Sequence, residues 1–221
     1  MIRLRDFLLK RLVTIVSLLS LLALILILWQ IIDQQRLRNQ PDYTPPLVMT
    51  EGDPYLRALM RTISASEAKD EDPYTLLYGG QHIVDLSRHP DRCIQIVSGP
   101  NKGNCTTAAG RYQLLSSTWK EKIQKYHPQH QSNSEVPSDS FAPQIQDQVV
   151  YAWLRDFDAW GINISQLLQQ GNLDEVLKHL SSTWTSLGYG IESNPTTPLL
   201  HQIYQKALIE ELARAKSQSY R

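Results

Sequence analysis

Glu67 stands where a carboxylate has reason to be more than a solvated surface group. It lies in TISASEAKDEDPYTLLYGG, residues 62–80. Before it, Leu56, Leu59, Met60 and Ile63 repeat at helical spacing and define an apolar stripe. Glu67 falls four residues beyond Ile63, so it continues that stripe instead of opposing it. An acid so placed either finds a partner or is pushed to a higher pKa by loss of water. At the mouth of a cleft, such a group is what a glycosidase uses as its general acid. The other reading of the spacing is a helix-end glutamate turned into water.

Other chemistries find little support. H-E-x-x-H is absent, and the nearest histidine pair, His127 and His130, sits in a polar stretch, so no metal site is expected. Neither G-x-S-x-G nor a phosphate-binding glycine loop occurs, and no cofactor is expected. His89, before Pro90, reads as a structural hydrogen-bonder. Asp70, Glu71 and Asp72 form a charged cluster of the kind that is usually a solvated loop. Asp85, in HIVDLSRHP, either faces a cleft or caps a turn. Tyr112 and Tyr189 lie beside glycines in AGRYQLL and LGYGIE, where an aromatic either stacks on a sugar ring or packs a loop. Twenty-two basic and 22 acidic side chains cancel, with pI near 7.0, so no basic surplus points to nucleic acid.

The elements that must position these groups are mainly helical. Asp53-Pro54 pairs an N-cap acceptor with proline in the first turn and opens the helix that ends near Glu67. Ser116-Ser117 caps a helix presenting Trp119, Ile123 and Tyr126; His127 to Ser140 reads as a loop. Ile145, Val149, Ala152, Trp153, Phe157 and Trp160 share one face of a longer helix ended by Gly161. Another carries Val176, Leu177, Leu180, Trp184 and Leu187 up to Gly188, and Thr197-Pro198 opens the last. Between Cys93 and Cys105, IQIV and SGPNKGN read as a hairpin folded about Gly99, which sets the two cysteines opposite one another. Outside the cytoplasm they should form a disulfide worth ~3 kcal/mol in the chain-entropy model. The class is α+β, helix-dominated, with one small hairpin.

Residues 12–32 contain no charged side chain, close to the ~20 apolar residues a bilayer-spanning helix needs. Arg3, Arg5, Lys10 and Arg11 precede this run against Asp6 alone, while Asp33, Arg36 and Arg38 follow it. The positive-inside rule then keeps residues 1–11 in the cytoplasm and sends the rest across the inner membrane as a single-pass protein. A cleaved signal peptide is the competing reading, but no small-residue cleavage site ends the run. Residues 33–50, rich in Gln, Asn and Pro, read as a linker reaching ~60 Å when extended, and the globular domain as 51–221.

Taken in order, SASE, YGGQHIVDLSRHP, AAGRYQLLSSTW, APQIQDQVVYAWL and STWTSLGYG resemble the phage lambda-type endolysins, from about Tyr55 to about Tyr204. That resemblance implies a lysozyme-like lytic transglycosylase acting on peptidoglycan glycan strands. It implies that Glu67 is catalytic and that the hairpin side of a saccharide cleft carries Tyr112, Gln113 and Asp85. Tyr189 belongs on the opposite wall. The membrane span and the Cys93–Cys105 pair depart from the pattern and suit an anchored cell-wall-remodelling enzyme in an oxidising compartment. A hydrolysing muramidase using Asp85 as its second acid, and an inactive tethered glycan-binding module, remain the rival readings.

Overall fold

A computed structural model describes residues 15–32, 43–128, 139–190, 192 and 194–219 of the chain. They fall in two units, one ending at Tyr43 and one beginning at Thr44. In the first, α1 (Ile15–Ile32) is an 18-residue helix of mean hydropathy 2.7. It is long and apolar enough to cross a bilayer by length and composition. The rest of the expected span and its flanking charges lie outside the described residues.

The second unit is built around α2 (Pro54–Glu67). Asp53 caps it, accepting from the Tyr55 N–H at 2.9 Å. The expected one-sided stripe is wider than the spacing suggests. Arg57, Arg61, Thr62 and Ser64 are buried together with Leu56, Leu59, Met60 and Ile63, so α2 is enclosed on nearly every side. The arginines tolerate burial because α8 (Leu200–Gln218) brings Glu211 to them, at 2.7 Å from Arg57 and 3.1 Å from Arg61. Glu67 is the residue at which this enclosed helix emerges.

Besides α8, α2 packs against α4 (Pro143–Arg155) and α6 (Ile164–Gln169), while α3 (Ser116–Tyr126) and α5 (Phe157–Trp160) pack on α4 and α7 (Leu173–Leu180) on α6. The helix expected through Trp160 breaks at Asp156, whose side chain accepts from the Asp158 N–H and starts a new turn. Trp160 nonetheless stays in the core, its ring stacked 5.0 Å from Trp153. Likewise α7 stops at Leu180, not near Gly188, with the Ser181 hydroxyl bonded to the Leu177 carbonyl at 2.7 Å. The turns that follow still bury Trp184 and Leu187. Thr197–Leu199 is a 3-10 turn leading into α8.

The hairpin forms with its pairing shifted by two residues from the expected register, its centre at residue 100 instead of 99. β1 (Ile94–Gln95) and β2 (Cys105–Thr106) pair antiparallel with Ile94 opposite Thr106 and Gln95 opposite Cys105. Cys93 is therefore diagonal to Cys105, on the same face. The two are joined in a disulfide with a Cα separation of 5.4 Å.

Residues 44–50, which read as the end of a linker, belong instead to the packed unit. Leu47 and Met49 are buried. The Val48 and Met49 N–H groups donate to Asp147 on α4 at 2.9 and 3.1 Å. Arg61 donates to the Thr44 carbonyl and Arg111 to those of Pro45 and Pro46. Proline content suggested a spacer, yet an extended proline segment leaves its carbonyls free to satisfy buried arginines.

Candidate active site

Glu67 closes α2, and no basic side chain occupies that helix's last turn. Its carboxyl is raised from 4.5 to about 7, first by burial and then by the negative charge of Glu192, against the opposing hydrogen bonds from Ser186. The helix's C-terminal end carries partial negative charge and acts in the same direction as burial. At neutral pH, Glu67 is therefore poised to give up a proton and to take one back.

Two buried serines orient it. The Ser186 hydroxyl donates to Glu67 Oε1 at 2.5 Å. The Ser66 hydroxyl lies 2.7 Å from Ser186 Oγ and donates to the Ser186 carbonyl at 3.0 Å. Ser186 itself is fixed from several sides. Thr197 donates to its carbonyl at 3.1 Å, Asn194 donates to the Ser66 carbonyl at 2.7 Å, and Trp184 ties the preceding turn to the Tyr112 carbonyl at 3.0 Å. The site thus joins the end of α2 to the turns after α7, some 120 residues apart in sequence.

The other expected site residues divide. Tyr112 is not on a cleft wall: it is 1% exposed, and its hydroxyl donates to Asp147 at 2.6 Å. The whole G-R-Y-Q segment is a folding hub. A side chain on Gly110 would come within 2.6 Å of the Phe141 ring. Arg111 is fully buried and also meets the Tyr74 hydroxyl at 3.0 Å. Gln113, at a positive φ of 44°, uses its amide on the Leu76 and Gly110 carbonyls, so it shapes the turn. Asp85 is exposed and caps its own turn through the Ser87 N–H at 2.9 Å. Those Ser87 hydrogen bonds hold it below the usual carboxylate range. Tyr189 is half-exposed, three residues beyond Ser186, its hydroxyl bonded to Asp174 at 2.7 Å.

Ser66, Ser186, Asn194 and Glu192 went unmarked in the sequence. Serines carry no periodic signature, and their pairing spans most of the domain. Asp147 had a legible signal: a carboxylate between Ile145 and Val149 on a strongly apolar helix. It is fully buried and accepts from two backbone N–H groups and two tyrosine hydroxyls. Among the described residues, no group of three or more His, Cys, Asp or Glu is arranged to hold a metal ion.

An enclosed helix ending in one high-pKa acid, a small hairpin and a surrounding set of helices define a lysozyme-like domain. A structure of bacteriophage lambda lysozyme complexed with a chitohexasaccharide superposes with a TM-score of 0.52 at 24% identity, over 72% of this chain and 97% of that one. The endolysin of Escherichia phage lambda is 28% identical over 120 residues, which is 53% of this chain and 64% of that protein. The matched stretch thus spans just under two thirds of that relative's length. Residues 57–209 match the Endolysin family model, and the chain belongs to that family.

Proposed function

We propose that the chain is a glycosidase-type enzyme that cleaves peptidoglycan, and that it is a membrane-anchored lytic transglycosylase used in cell-wall remodelling. The observation that carries this reading is Glu67, a single carboxyl raised to about 7 and held by Ser186. Protonated Glu67 gives its proton to the glycosidic oxygen between N-acetylmuramic acid and N-acetylglucosamine. The muramyl centre is trapped by its own N-acetyl group. Ionised Glu67 then takes the proton of that sugar's 6-hydroxyl, whose oxygen closes a 1,6-anhydro ring. Water is not consumed, and an intramolecular hydroxyl outcompetes it because effective molarities reach ~10⁵ M or more. Tyr189, on the same loop as Ser186, is the aromatic we assign to the saccharide. Membership of the Endolysin family and the lambda lysozyme fold support the glycosidase class. The α1 helix supports the anchor, and the basic residues that precede residue 12 in the sequence support a domain on the periplasmic side.

One observation favours a second reading, a hydrolysing muramidase. Such enzymes use paired carboxyls roughly 5–9 Å apart, and the Glu192 charge reaches Glu67. Asp85, capping its own exposed turn, is a poorer second acid. Product analysis on purified sacculi separates the readings. Muropeptides ending in 1,6-anhydromuramic acid, lost together with turnover in Glu67→Gln, are the expected result. Reducing ends would select the muramidase, and sacculus binding without cleavage by the wild type would select a tethered module.

A further inference from the structure

A cleft of 690 Å³ lies between α4 and residues 49–52, with Tyr126 in its lining. It begins just before α2 starts, whereas Glu67 ends that 14-residue helix. The helix length, about 20 Å, separates the two. A ligand here does not touch the scissile bond.

The walls differ from a sugar-stacking surface. Gly52 lies against the Tyr151 ring so closely that a Cβ there would come within 2.8 Å of it. The Arg155 guanidinium lies 5.6 Å from that ring's centroid. Tyr126 gives its hydroxyl to Asp156 at 2.6 Å, and Asp156 is further occupied by Lys125 at 2.7 Å. Both aromatic side chains are thus committed to the protein. What remains uncommitted is polar and mixed in charge. Arg155, Glu51, Gln144 and Gln148 line the cleft, and their side chains make no hydrogen bond or ion pair among the described residues. Gln144, Gln148 and Arg155 follow one another along one face of α4, four and seven residues apart. Glu51 faces them from the other wall.

A guanidinium steadied on an aromatic ring with its N–H edges free is a carboxylate receptor. Primary amides in a row suit a peptide backbone, and an opposing carboxylate suits an amine. We propose that this cleft binds a short peptide of mixed charge, the chemistry of the stem peptides carried by muramic acid in peptidoglycan. The proposal rests on peptidoglycan being the substrate. It adds that the enzyme holds a peptide at a site remote from Glu67, so that cross-linked sacculi are gripped more tightly than bare glycan.

The test uses the full chain in detergent micelles, carrying Glu67→Gln, titrated with a synthetic alanyl-γ-glutamyl-diaminopimelyl-alanine stem peptide. Saturable binding is expected, weakened about tenfold or more by Arg155→Gln or by Glu51→Gln, with unchanged melting temperatures. In the active protein, Arg155→Gln should raise KM on sacculi and leave turnover of peptide-free glycan unchanged. Absence of saturable binding up to ~10 mM peptide overturns the proposal. So does binding indifferent to both substitutions, or displacement of the peptide by a chito-oligosaccharide. If the protein proves not to cleave peptidoglycan at all, the functional reading falls while the titration still decides whether the cleft takes a peptide.

Discussion

Replacing Glu67 by glutamine should make the folded protein more stable at alkaline pH while removing its activity. Raising a carboxyl from 4.5 to about 7 corresponds to about 3 kcal/mol between its two protonation states. Below about 4.5 the acid is neutral whether the chain is folded or not, and no penalty applies. Between 4.5 and about 7 the folded protein keeps a proton that the unfolded chain releases, so stability falls as pH rises. Above about 7 the folded state carries the full penalty. Glutamine still accepts from Ser186 but never ionises, so its stability lacks that slope. The two proteins should therefore be alike near pH 4 and differ by about 3 kcal/mol near pH 8.5, the variant being the more stable. With a urea dependence of ~2 kcal/mol per molar, the midpoint should move up by ~1.5 M. Trp119, Trp153, Trp160 and Trp184 are all buried in the domain and report its unfolding by fluorescence. Wild-type and variant stabilities running parallel from pH 4 to 8.5 would refute the assignment of Glu67 as a high-pKa acid.

Ser186→Ala removes a hydrogen bond that lowers the Glu67 pKa. The alkaline limb of the pH–activity profile should move up by about one pH unit, with a lower kcat; an unmoved limb means that Ser186 does not act through Glu67. Cys93→Ser opens a loop of sequence separation 12, and should lower stability by no more than ~3 kcal/mol. The wild type with reductant should melt with the variant; a wild type indifferent to reductant would show that the bond contributes nothing.

The parts of the fold that could be read in advance were those set by local pattern. The Asp53 cap, the core positions of α2 and the apolar faces of α3 and α4 follow from spacing over a few turns. Glu67 is legible because a carboxylate there continues such a face. Asp147 carries the same signal more faintly, because Ile145, Val149 and Trp153 define that helix's face without it. Tyr112 misled for a physical reason: a glycine-flanked tyrosine is equally compatible with a sugar and with a buried carboxylate, and only the tertiary partner decides. The hairpin's centre moves by one residue, and its pairing by two, because turn-formers at Gly99, Pro100 and Gly103 permit more than one centre. Helix ends at Arg155 and Leu180 depended on side-chain caps that compete with an unbroken apolar periodicity.

The docking of residues 44–50 gives the chain two kinds of cut. Cleavage on the N-terminal side of Thr44 would separate the second unit from α1 and leave the buried contacts described for it in place. Cleavage a few residues later, between Thr44 and Asp53, would strip Asp147 of two backbone donors and Arg61 and Arg111 of their carbonyl acceptors. Each such lost bond to a buried charge costs about 1.5–3 kcal/mol, together comparable to a domain's whole stability. A protease acting on one side of Thr44 therefore leaves the folded unit whole, and one acting on the other side unfolds it.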